Sequence, residues 1–275
     1  MSAAADAAAL PEEESGWYLY GVVGADHAPP APATAAVDPR HGIELLVEGP
    51  LGGIASRVSL DEFDEAALPE RLADAAWLEQ KIRAHERVLE SVLARVSVVP
   101  CRFCTVYRTE GDLRRFLAER GDALAAALED VRGRVELGVK AFVDRDRFAA
   151  GEERLSEPRK RVAQSQGGRA YLEARRLEQR VSDELARLGT ELAAQLHSRL
   201  VAAAEDGVPL DLQSRELSGR DEEMVFNAAY LVEDRERFEE ELGALADEHR
   251  ARGVDFELTG PWPPYNFVPS ELGRS

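Results

Sequence analysis

The chain has 275 residues, enough for one large or two ordinary domains, and its 44% hydrophobic content excludes wholesale disorder. Its 52 acidic and 34 basic side chains leave a net charge of −18, which argues against a broad nucleic-acid surface or an anionic membrane as partner, since both demand positive charge. No run reaches the ~20 apolar residues of a membrane span, the N-terminus lacks the basic start of a signal peptide, and Cys101 and Cys104 alone make no disulfide framework, so a reducing cytoplasm is the expected compartment.

Residues 1–15 read as a disordered tail. The aromatic and β-branched run Trp17 to Val23 predicts the first strand. The proline- and alanine-rich stretch Gly24 to Gly42 is expected to be a mobile surface loop. Ile43 to Val47 and Leu51 to Val58, parted by Gly49-Pro50, read as a hairpin, with a bulge at Gly52-Gly53. Ser59-Leu60-Asp61-Glu62 has the form of a capping box, and Pro69 suits the first turn of a longer helix. That helix carries an apolar stripe of Leu78, Ile82, His85, Leu89, Val92 and Val96. Val98 to Tyr107 reads as extended, and about Glu110 to Asp130 as one helix ending at Gly133.

From Val135 to Val143 apolar and polar residues alternate, which predicts a half-buried strand. A polar connection, Asp144 to Gly168, leads to a long helix over about Arg169 to Ala204, roughly 50 Å at 1.5 Å per residue, so part of it should project. Strands are expected at Leu210–Leu217, Met224–Val232 and Val254–Leu258, with a helix over Glu233–Arg252. The order β-α-β-β-α-β is that of a ferredoxin-like domain. The expected fold class is therefore α+β in two domains: 16–132, an N-terminal α+β domain, and 133–275, a C-terminal ferredoxin-like domain with a long helix and a closing strap.

Residues that could carry chemistry are sparse. Cys101-Arg102-Phe103-Cys104 is a CxxC, but it sits in an extended run rather than at a helix N-terminus, where a thiol's pKa falls, and no further pair completes a zinc site. His85 on an apolar stripe reads as a hydrogen-bonded core residue. No P-loop, GxGxxG or GxSxG occurs. No catalytic residue, cofactor or metal is expected. The segment Gly260-Pro261-Trp262-Pro263-Pro264-Tyr265-Asn266-Phe267 packs three prolines and three aromatics into eight residues. Trp262, Pro263, Pro264, Tyr265 and Phe267 are the candidate site residues, either as a clamp between domains or as a surface for a partner.

This ending, with Tyr18-Leu19-Tyr20-Gly21-Val22-Val23, the block from Ala84-His85-Glu86 to Cys101-Arg102-Phe103-Cys104-Thr105, Gly168-Arg169-Ala170-Tyr171-Leu172 and Asn227-Ala228-Ala229-Tyr230-Leu231-Val232, resembles the gas vesicle protein GvpF/GvpL family over about residues 17–268. Cys104 stands where that family's pattern usually has glycine, and Cys101 replaces an aliphatic residue. The resemblance implies an accessory protein of gas vesicle formation with a ferredoxin-like C-terminal domain and no enzymatic activity. It implies binding to the small hydrophobic shell protein GvpA and to other accessory proteins, in the cytoplasm and at gas vesicles. The alternatives are a minor component of the vesicle wall, or a small-molecule enzyme on a ferredoxin-like scaffold.

Overall fold

A computed structural model describes residues 14–27, 34–269 and 271–272, with Leu217 by its backbone alone. The expected tail at 1–15 lies outside the described residues except for Glu14 and Ser15, and Ser15 already belongs to the first strand. The chain is a mixed α/β protein with two antiparallel sheets, and it divides into two units: Met1–Gly133 with Pro263–Ser275, and Arg134–Trp262. The strap, expected within the C-terminal domain, thus changes unit between Trp262 and Pro263.

The first unit holds β1 (Ser15–Gly24), β2 (Ile43–Glu48), β3 (Leu51–Ser59), α1 (Leu60–Phe63), α2 (Leu68–Ala73), α3 (Ala75–Leu93), β4 (Val99–Pro100), β5 (Val106–Tyr107), α4 (Glu110–Glu119) and α5 (Gly121–Asp130). Its sheet runs β2-β3-β1-β4, with β5 also on β1. Alternation in β1 feeds two cores. Trp17, Leu19 and Val22 pack with Leu113 and Leu117 of α4 and Leu124 and Leu128 of α5, while Tyr18, Tyr20 and Val23 pack with Ala84, Val88, Leu89 and Val92 of α3. The sheet therefore lies between two helical layers, the arrangement that buries both of its faces.

Several local expectations change here. The longer helix breaks at Asp74, whose carboxylate accepts from the backbone N–H of Ala76 and Trp77 at 3.0 and 3.1 Å and so caps α3. Ser59 makes no side-chain cap bond. The buried stripe of α3 is Trp77, Lys81, Ala84, His85, Val88, Leu89 and Val92, so Ile82 faces outward. Glu110 to Asp130 is two helices meeting at Arg120. The bulge lies in β1, between Leu19 and Gly21, and Gly52 and Gly53 pair regularly. The stretch expected to be a mobile loop is pinned where it is described. Ala36, Val37 and Asp38 are buried, Val37 donates its N–H to the Tyr20 hydroxyl at 2.9 Å, and Lys81 Nζ donates to the Val37 carbonyl at 2.8 Å.

The second unit holds β6 (Val135–Val143), α6 (Arg145–Gly151), α7 (Ser156–Gln164), α8 (Gly167–Val201), β7 (Asp206–Pro209), α9 (Arg215–Ser218), β8 (Glu223–Val232), α10 (Arg235–Arg250) and β9 (Val254–Trp262). Its sheet runs β7-β8-β6-β9. Leu185, Leu188, Leu192, Leu196 and Leu200 of α8 and Phe238, Leu242 and Leu245 of α10 pack on Leu137, Val139, Ala141 and Val143 of β6. The buried residues of α8 begin at Val181, and Tyr171 and Leu172 nearer its start are exposed. The strand expected at Leu210–Leu217 is displaced to Asp206–Pro209, where Gly207 lets the backbone approach the Tyr230 ring; an added Cβ would sit 2.8 Å from it. The expected polar connection at 144–168 contains α6 and α7.

The last strand also outruns its expected end. β9 continues from Leu258 through Pro261 to Trp262, which a proline permits because β9 is an edge strand. Gly260 makes the bend, with φ of 106° and the Glu136 carbonyl 2.8 Å from where a Cβ would stand. Only glycine meets both conditions.

Candidate functional site

The strap residues fall into two groups. Trp262 ends β9 opposite Glu136, donates its indole N–H to Thr259 Oγ1 at 3.2 Å, and is 38% exposed. Pro263 and Pro264 are buried, while Tyr265 and Phe267 are half-buried. Two tight turns hold this part, Tyr265 N–H to the Pro263 carbonyl at 2.8 Å and Phe267 N–H to that of Pro264 at 3.1 Å. Beyond them Val268 and Leu272 pack on the α4/α5 core, whereas Tyr265 packs on the α3 core.

Tyr265 joins a chain of hydrogen bonds that runs from Tyr18 through His85 to Glu86. The backbone N–H of Cys104 donates to the Tyr18 hydroxyl at 3.0 Å; because the Tyr265 hydroxyl at the other end donates to Glu86 and so accepts from His85 Nε2–H, the Tyr18 hydroxyl donates to Nδ1 at 2.9 Å. Nδ1 is then an acceptor, and Nε2 carries the ring proton. Nε2 donates to the Tyr265 hydroxyl at 3.0 Å, which in turn donates to Glu86 Oε1 at 3.1 Å. Burial pushes the His85 imidazole down to about 4, so the ring is neutral at pH 7. Burial also raises the Glu86 carboxyl, while the Tyr265 hydrogen bond works against that shift. His85, read from sequence as a hydrogen-bonded core residue, is one that fixes the strap. The role of Tyr18 and Glu86 carried no signal in the sequence, because their partners lie far away in the chain.

The CxxC is not arranged as a redox pair. Cys101 and Cys104 are free thiols, and burial pushes both up to about 12, which keeps them protonated and weakly nucleophilic. Cys104 instead occupies a backbone position that favours glycine. Its φ is 64°, at the third position of a turn closed by Thr105 N–H on the Arg102 carbonyl at 3.2 Å. Among the described residues no group of three or more His, Cys, Asp or Glu is placed to hold a metal ion, and no helix is long and apolar enough to cross a membrane.

A family model described as "Gas vesicle synthesis protein GvpL/GvpF" matches residues 16–269. The gas vesicle protein L of Streptomyces sp. strain CB03234 is 37% identical over 233 residues, covering 83% of this chain and 85% of its own. The gas vesicle protein F2 of Halobacterium salinarum is 25% identical over 266 residues, 94% of this chain and 95% of its own. In fold, the crystal structure of GvpF from Anabaena sp. PCC7120 superposes with a TM-score of 0.64 at 19% identity, over 93% of this chain and 96% of that one. The turn at Cys104, the strand running into Trp262 and the intervening elements all lie inside the matched span, and the chain belongs to the gas vesicle GvpL/GvpF family.

Proposed function

We propose that this chain is an accessory protein of gas vesicle formation that binds the small hydrophobic shell protein GvpA and other accessory proteins while vesicles assemble. It works by binding rather than by catalysis, in the cytoplasm and at the vesicle. The observation that carries the reading is the family match, which runs through both units from residue 16 to residue 269. The physical chemistry supports it. A shell protein that lines a gas space must expose apolar surface and would aggregate before incorporation. A soluble partner of net charge −18 keeps complexes with it apart by repulsion. The architecture is read as an N-terminal α+β domain followed by a ferredoxin-like one, a reading supported by the element order β6-α8-β7-β8-α10-β9 and the strand order β7-β8-β6-β9. Within it, Trp262, Pro263, Pro264, Tyr265 and Phe267 form a strap in which Tyr265 is the inward anchor and Trp262 the outward contact. The test is co-expression of the shell protein with and without this chain, measuring the soluble shell fraction. The reading expects a rise with this chain; an unchanged, aggregated shell protein in both samples would count against it.

A further inference from the structure

The second unit contains an apolar groove of about 770 Å3. One wall is α8, through Ala186, Gly189, Ala193 and Ala194; the other is the segment after β7, with Leu210 and Leu212; Met224 to Phe226 of β8 lie between them. Leu212 is 57% exposed, an apolar side chain standing at the rim.

The groove exists because β7 is short. It pairs with β8 only from Asp206 to Pro209, and the last backbone bond of that edge is Leu210 N–H to the Asn227 carbonyl at 2.9 Å. Beyond it the edge is blunted against another strand. Pro209 closes β7, and β8 is bulged at Val225, where its pairing with β6 skips a residue. The 211–213 segment lies across the edge through side-chain bonds, Asn227 Nδ2 to the Asp211 carbonyl at 2.7 Å and Gln213 N–H to Met224 Sδ at 3.3 Å. Bulges and prolines oppose strand addition. The small side chains on α8 leave room for a helix instead, since a helix docks in a groove through its apolar face.

Charge specifies the flanks of that helix. The chain segment from Glu205 to Glu223, which supplies Pro209, Leu210, Leu212 and Glu223 to the groove, carries seven carboxylates against two arginines, a net charge of −5. Glu223 is offset by Arg145 at 3.3 Å and Arg215 at 4.0 Å. Asp206, Asp211, Glu216 and Asp221 enter no ion pair among the described residues. An apolar floor beside uncompensated acids selects an apolar helix bordered by lysine or arginine.

We propose that this groove binds an amphipathic helix of a partner protein, with its small apolar face against α8 and Met224–Phe226 and its basic flank along the acidic 205–223 segment. The inference rests on the reading of the chain as a binding protein and places one contact of that binding in the second unit. The probe is a fluorescein-labelled 18-residue helical peptide with a leucine/alanine face and lysine flanks, compared with the same face flanked by glutamates. Binding to the full chain is followed by anisotropy. Two variants at exposed positions keep the fold and change the groove: Ala194→Trp fills it, and Leu212→Ser removes its rim. Their circular dichroism should match wild type.

The lysine peptide is expected to bind wild type at least about tenfold more tightly than either variant, and about tenfold more tightly than the glutamate peptide, with the preference shrinking at high salt. No binding by wild type, equal binding by the variants, or equal binding of the two peptides overturns the proposal. So does an extended, proline-interrupted peptide of the same composition that binds as well as the helical one. Capture of the shell protein by wild type is measured in parallel. If that capture fails while the peptide discriminates, the functional reading falls and the groove stands. If the shell protein is captured but the peptide results are flat, the groove falls alone.

Discussion

Replacing Tyr265 by Phe keeps the ring and removes one oxygen, so it isolates the hydrogen bonds that hold the strap. The loss strands two groups. His85 Nε2–H loses the Tyr265 hydroxyl as its acceptor, and the residue is 1% exposed, so water cannot reach the ring freely. Glu86 Oε1 loses a donor, but on the half-buried side, where water can replace it. An unmet buried donor costs about 1–3 kcal/mol; with only the His85 side counted, the expected loss is about 1–2 kcal/mol. For a unit of this size that lowers the melting temperature by about 3–6 °C. The assay is urea and thermal unfolding of wild type, Tyr265→Phe, His85→Leu and the double variant. Once His85 is replaced, no stranded N–H remains and Tyr265→Phe should cost little, giving a coupling of about 1 kcal/mol. A Tyr265→Phe protein within ~0.3 kcal/mol of wild type, or costs that simply add in the double variant, would refute the relay as the anchor.

Other expectations follow from the same site. The His85 imidazole sits at about 4 in the folded chain against an ordinary 6.5, so the folded state binds fewer protons than the unfolded one. Its contribution is complete above 6.5 and is lost as pH falls toward 4, amounting to about 2 kcal/mol between pH 7 and pH 5. The raised Glu86 carboxyl acts the other way, regaining stability as it is protonated, so the window above its titration reports His85 most cleanly. His85→Leu should flatten the stability profile between pH 7 and 5, and an unchanged slope would contradict the assignment. At Cys104, with φ of 64°, Gly should match or exceed wild type by up to about 1 kcal/mol, whereas Val, though larger and apolar, should cost about 1–2 kcal/mol in urea melts. Trp262→Ala should cost about 1–2 kcal/mol and leave the chain folded, because that indole is 38% exposed and its bond to Thr259 is local; collapse of the fold would show that Trp262, and not Tyr265, is the principal anchor.

Alternation in Val135–Val143 and a continuous apolar run in Met224–Val232 make the central strands readable. Val135 to Val143 and Met224 to Val232 were placed within a residue, since one or both of their faces are apolar throughout. β7 was displaced because its four residues carry a single β-branched side chain, Val208, and the more apolar Leu210 and Leu212 lie in the adjoining groove wall. The helix break at Asp74 leaves no mark in the sequence pattern, because the apolar spacing continues across it and the cap is a local backbone event that periodicity does not register. In the strap, composition marked the right residues but not their directions. Tyr265 turns inward because His85 waits 180 residues earlier in the chain, a pairing that no local pattern encodes. Cys104 was legible only as a departure from a glycine, and its positive φ supplies the reason glycine is usual there.

On the proposed function, this chain binds the vesicle shell protein through a surface that includes the outward face of its strap. The most direct test is co-purification of the shell protein with wild type and with Trp262→Ala, each shown to be folded by its melting curve. Wild type is expected to retain the shell protein and the folded Trp262→Ala variant markedly less. Equal retention by both would remove the strap from the interface, and no retention by wild type would contradict shell binding itself.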